Sequence, residues 1–261
     1  MKELFPRLED LYEEEIIKKE AEEIVRFLKE AEVLPNDYRL RVEVMDKIET
    51  RDAAESIFSF LLASGSVLAG HFVGYGKETT LLTLLTYLFF SLLLLYRRKR
   101  SRYEIVGLHE AEGRIVISYE GCRRIAKQFA KTIGRSLDDK ENIIVGIASI
   151  VSHEICHEDL MVGKSEEKAS ACEALIVYHK YKDTLGKELK KYWDWCIRES
   201  VNDTNGERTL AYAAGRAYFL NQLEKNGDFI KESLRESLKR LKSLSIEEIY
   251  KSFEEYKRKI R

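Results

Sequence analysis

The residues best placed to do chemistry are His153-Glu154-Ile155-Cys156-His157, a His-Glu-x-x-His pattern at the end of an apolar run. On a helix, positions four apart share a face, so the two imidazoles can meet one metal ion while Glu154 lies beside them. A zinc ion with three protein ligands keeps a fourth position for water and lowers the pKa of that water to about 7. Glu154 is spaced to take a proton from the water and hand it to a leaving amine. The chemistry expected is hydrolysis, with Zn2+ as cofactor, His153 and His157 as metal ligands and Glu154 as the catalytic base.

A third ligand must come from another element. If the motif helix runs to about Val162, the histidine pair lies about seven residues before its end. An antiparallel helix starting near Glu166 then presents its ligand about seven residues in, at Glu173. Glu166 is the alternative third ligand, in the Glu-x-x-Ala spacing of Glu166-Glu167-Lys168-Ala169. The two lie two turns apart on one face, so one can ligate while the other supports. Tyr212 and Arg216, in Ala211-Tyr212-Ala213-Ala214-Gly215-Arg216, are candidates for stabilising charge in the transition state. His109 and His179 read as structural.

The elements that must hold these residues are mostly helical. Ile143, Ile144, Val145, Ile147, Ile150, Val151 and Ile155 make the motif helix apolar nearly all round, as a buried helix is. Gly163 and Ser165 supply a stop and an N-cap, which starts the next helix at Glu166 and carries it to about Tyr181. Upstream, Tyr103–Leu108 and Arg114–Tyr119 bracket a polar link and predict a β-hairpin, with a helix following over Gly121–Gly134. Residues 7–34 form an amphipathic helix. Tyr38–Val44 alternates like a strand, while its continuation to Glu55 has a helical pattern, which leaves that piece open. Leu185–Arg261 reads as further helices, broken near Asn202–Gly206 and Asn226-Gly227.

Between these parts, Ser56–Gly76 and Thr79–Tyr96 contain no Asp, Glu, Lys or Arg. Each is long enough to cross most or all of a hydrocarbon layer of roughly 30 Å. The cluster Arg97-Arg98-Lys99-Arg100-Ser101-Arg102 follows, and such clusters stay on the cytoplasmic side. The expected fold class is mainly α (α+β): a zincin-like helical domain with a short β-hairpin, preceded by a transmembrane helical hairpin. This divides the chain into 1–55, a charged helical region; 56–96, the membrane hairpin; and 97–261, the metallopeptidase domain. The alternative is a soluble or oligomeric zincin in which residues 56–96 are buried core.

Composition narrows the function classes. A formal net charge of -1 removes the electrostatic footprint of a nucleic-acid binder. Cys122, Cys156, Cys172 and Cys196 show no Cys-x-x-Cys pairing and no secretory signal precedes them, so free thiols in a reducing cytosol are expected.

On its His-Glu-x-x-His helix and following glutamate helix, the stretch 103–180 resembles the gluzincin-type zinc metallopeptidases. Together with the apolar hairpin, the arrangement looks like the membrane-embedded heat-shock endopeptidases related to prenyl-protein proteases. In that subgroup the ligand falls in Glu-x-x-Ala-Asp, whereas Ser170 stands here in place of the Asp. The resemblance implies a cell-membrane protein with a cytoplasmic catalytic domain that cuts polypeptide substrates. It also implies a strand beside the active helix, here Arg114–Tyr119, that binds the substrate backbone in extended form. A non-catalytic membrane scaffold with a structural metal site is the reading outside the enzyme class.

Overall fold

Alternating charge and apolar spacing build the first helix. In a computed structural model, which describes residues 8–45, 107–110, 113–136, 140–158, 160, 165–202, 207–225 and 232–260, α1 spans Leu8–Glu30. Ile17, Ala21, Ile24 and Leu28 line its buried face, Glu15, Lys18, Lys19, Glu22 and Glu30 face outward, and Glu20 is buried against the Tyr181 hydroxyl. The remaining elements are β1 (Arg41–Met45), β2 (Gly107–Glu110), β3 (Arg114–Ser118), α2 (Tyr119–Ile133), α3 (Lys140–Glu158), α4 (Glu166–Asn202), α5 (Glu207–Lys225), α6 (Leu234–Ser243) and α7 (Ile246–Ile260). The chain divides into two units, residues 1–47 with 106–261, and residues 48–105. The second unit lies outside the described residues.

The sheet has the order β1-β3-β2, with β2 antiparallel and β1 parallel to β3. The open stretch from Tyr38 holds a strand at Arg41–Met45; of the expected strand Tyr103–Leu108, residues 103–106 lie outside the described residues, and the strand that pairs with β3 is Gly107–Glu110. Ile115, Val116 and Ile117 turn the middle strand into core. Ser118 then ends β3 and caps α2, its Oγ accepting from the Gly121 amide at 3.1 Å.

α3 is the central helix, with α1, α2 and α4 packed around it. Val145, Ile147, Ala148, Val151, Ile155 and Cys156 are all fully covered, which agrees with a helix apolar on every side. α4 begins where the serine cap directs it: the Lys168 amide donates to Ser165 Oγ at 3.2 Å. It runs far beyond Tyr181 because Leu185, Leu189, Tyr192, Trp193 and Ile197 continue its apolar stripe. α5 crosses the start of α4 at Gly215, where a Cβ would stand 2.2 Å from the Glu167 carbonyl oxygen. Only glycine permits that approach. Trp193 on α4 meets Phe219 on α5 edge-on at 5.3 Å, and Asn221 ties α5 to α7 by donating to the Ser252 carbonyl at 2.6 Å.

The membrane reading requires correction. Among the described residues no helix is long and apolar enough to cross a membrane, and residues 56–96 themselves lie outside the described residues. α3, whose inner stretch is the most apolar, carries Lys140, Glu141, Glu154 and Glu158 and is wrapped by protein. Length without charge does not separate a lipid-facing helix from one covered by other helices. The transmembrane hairpin, the membrane association and the cell-membrane location are therefore not carried forward.

Candidate metal centre

His153 and His157 stand in the last turn and a half of α3, one helical turn apart, with ring centroids 4.8 Å apart. Their Nε2 atoms are separated by 3.1 Å. Glu166, the first residue of α4, brings its Oε2 to 3.1 Å from His153 Nε2 and 3.4 Å from His157 Nε2. Ligands at about 2.0–2.1 Å from a tetrahedral metal stand about 3.3 Å from one another. The three donor atoms are spaced for that geometry, and this His/His/Glu cluster could chelate a divalent metal such as Zn2+.

Glu173 occupies the other side of His153. Its Oε2 lies 3.5 Å from Nδ1, an ion-pair distance without a hydrogen bond, and its two oxygens accept from Arg216 Nη2 at 3.3 and 3.4 Å. Glu173 is 2% exposed, against 22% for Glu166. Burial alone would raise the Glu173 pKa, but the Arg216 guanidinium and His153 outweigh it and hold the carboxyl below its usual range. A buried carboxylate paired to a guanidinium and facing the far nitrogen of a ligating histidine would fix which nitrogen carries the proton.

His153 registers this surrounding charge. Burial works against its protonation, yet the carboxylates of Glu166 and Glu173 prevail and lift it to about 9.

The expected helix count fails at one end. α3 stops at Glu158 and not near Val162, which moves the histidines to the helix terminus. The facing helix then meets them at its own first residue, which is Glu166. Glu173, two turns further in, meets the buried side of the ring.

Tyr212 and Arg216 both arrive on α5. The Tyr212 ring stacks on His153 at 5.1 Å, and Arg216 lies behind Glu173. Sequence reasoning missed Gly107. A Cβ there would lie 2.6 Å from Ile150 Cγ2 and 2.9 Å from Glu154 Oε1, so the glycine lets β2 press against the motif helix beside the proposed base. Its signal was a lone glycine within a strand run, which marks a close approach. Arg114–Tyr119, the strand expected to bind substrate, is the middle strand, with its ladder used by β1 and β2. Among the described residues β2 lies at an edge of the sheet, and its Gly107 sits against Glu154.

The expectation of four free thiols is also corrected. Cys156 and Cys172 form a disulfide, leaving Cys122 and Cys196 free. Cysteine spacing along the chain carries no sign of a pair created by packing two helices.

Compared with protein families, curated proteins and solved structures, the chain matches none of them. The resemblance to membrane-embedded heat-shock and prenyl-protein endopeptidases finds no support there, nor in any described helix.

Proposed function

We propose that the chain is a zinc-dependent hydrolase of peptide bonds with a zincin-like site, in which His153, His157 and Glu166 hold the metal. The observation that carries this reading is the mutual spacing of the two Nε2 atoms and Glu166 Oε2. When bound there, zinc would supply a water acidified to a pKa of about 7. Glu154 is the general base and later returns the proton to the leaving amine. Glu173, 3.5 Å from His153 Nδ1, faces the far side of that ring and would orient it once the contact tightens, and Arg216 keeps Glu173 ionised. Since Arg216 is committed to Glu173, Tyr212 is the better of the two candidates for stabilising charge on the reacting carbonyl. An extended polypeptide would add to the β2 edge, where Gly107 brings the backbone against the motif helix.

Zinc content and peptidase activity of the purified full chain, before and after Glu154→Gln, test the proposal. The expected result is one zinc per chain in both proteins and a loss of about 10²–10⁴-fold in cleavage of an unstructured polypeptide. Failure to bind zinc, or equal cleavage by the variant, would overturn it.

A further inference from the structure

Two of the three proposed donors stand on helix-terminal turns: His157 is next to the end of α3, and Glu166 opens α4. Terminal turns lack part of their backbone hydrogen bonds and open at much lower cost than helix interiors. A metal held only by such turns leaves when they part. Cys156 immediately precedes His157, and Cys172 immediately precedes Glu173. Their disulfide brings the two Cα atoms to 6.2 Å and closes a ring of chain, 16 positions around, that contains both His157 and Glu166.

We propose that the Cys156–Cys172 disulfide is a covalent clasp on the metal centre, so that metal retention depends on the oxidation state of this cysteine pair. The inference rests on the metal-site reading above. With the clasp closed, opening of the terminal turns cannot separate α3 from α4, and the donors stay within reach of the ion. A dithiol opens it: two electrons and two protons pass to the cysteines, and the reductant leaves as its own cyclic disulfide. α3 and α4 are then held by packing alone.

The other two cysteines do not open the clasp from within. Exchange requires a thiolate. Burial pushes the Cys122 thiol up to about 12, and burial raises Cys196 as well, despite the nearby Arg216. Both clasp sulfurs are fully covered, so an external dithiol reaches them only through local opening. Coupling is reciprocal, and bound metal therefore stabilises the disulfide over the dithiol at equilibrium.

The test uses the full chain purified without reductant. Alkylation in denaturant is expected to label two of the four cysteines, Cys122 and Cys196; labelling of all four overturns the proposal. Zinc release to an excess of chelator is then compared among oxidised protein, protein reduced with dithiothreitol and freed of it under argon, and the Cys156→Ala/Cys172→Ala variant. Release about tenfold faster in the latter two is expected. Cys122→Ala, which alters packing at a buried thiol outside the clasp, is expected to release zinc at the oxidised rate. Equal release from oxidised and reduced protein, or release from Cys122→Ala as fast as from the double variant, overturns the clasp alone. No zinc uptake by the oxidised protein overturns the clasp and the metal centre together.

Discussion

Glu166 and Glu173 lie two turns apart on α4, and both carboxylates reach His153, from opposite sides of its ring. Glu166 sits at the helix start, partly open to solvent, against the Nε2 atoms of two histidines. Glu173 sits in the core against Nδ1, with its charge already matched by Arg216. Identical side chains on one helix thus acquire different tasks from what lies behind them. Glu173 shares its charge with Arg216, whereas Glu166 faces the Nε2 atoms of His153 and His157.

The largest expected effect is at Glu173. Glu173→Ala leaves the Arg216 charge buried and unpaired, and chemical denaturation is expected to show a loss of about 3–5 kcal/mol. Glu173→Met with Arg216→Met removes both charges and is expected to return to within about 1 kcal/mol of the parent. A single variant as stable as the parent would mean that the pair is not closed off from water.

Metal affinity sharpens the contrast. Glu166→Gln is expected to leave stability within about 0.5 kcal/mol. By competition titration it should weaken zinc binding by more than the roughly 10–100-fold expected for Glu173→Gln, which alters an outer partner. If Glu173→Gln weakens binding more, the two roles are exchanged.

The smallest effect concerns His179, further along α4 and without a carboxylate partner among its shifting groups. Burial, with Lys182 nearby, lowers its pKa from 6.5 to about 4, the opposite of His153. Between those values the unfolded chain binds more protons than the folded one. The contribution of His179 is therefore complete above pH 6.5 and lost as pH falls toward 4. With the ring partly exposed, roughly 1–2 kcal/mol is expected over that window, and His179→Gln should flatten it. An unchanged pH profile of stability in the variant would show that His179 titrates normally.

Much of the centre was legible from residue types and local spacing. The two histidines and Glu154 follow from helical period, and Ser165 announces the start of α4. What escaped was set by contacts distant in sequence. The apolar pattern carries the α3 reading past Glu158 toward Val162, whereas the Nε2 pair faces Glu166 and not Glu173. Tyr38–Val44 could not declare itself a strand because its partner is β3, with Glu43 paired to Arg114 71 positions away. The membrane reading failed for a related reason. An uncharged run records avoidance of water and leaves open what replaces the water.

The parallel pairing of β1 with β3 also bears on the order of assembly. Contacts between segments far apart must overcome loop-closure entropy before they yield any stabilisation, so they form after local ones. β1 waits for β3, and Glu20 on α1 waits for the Tyr181 hydroxyl 161 positions later. The α3–α4 hairpin can close over a short turn without them. The contact that brings His153, His157 and Glu166 together is local in sequence, whereas α1 and β1 depend on partners far along the chain.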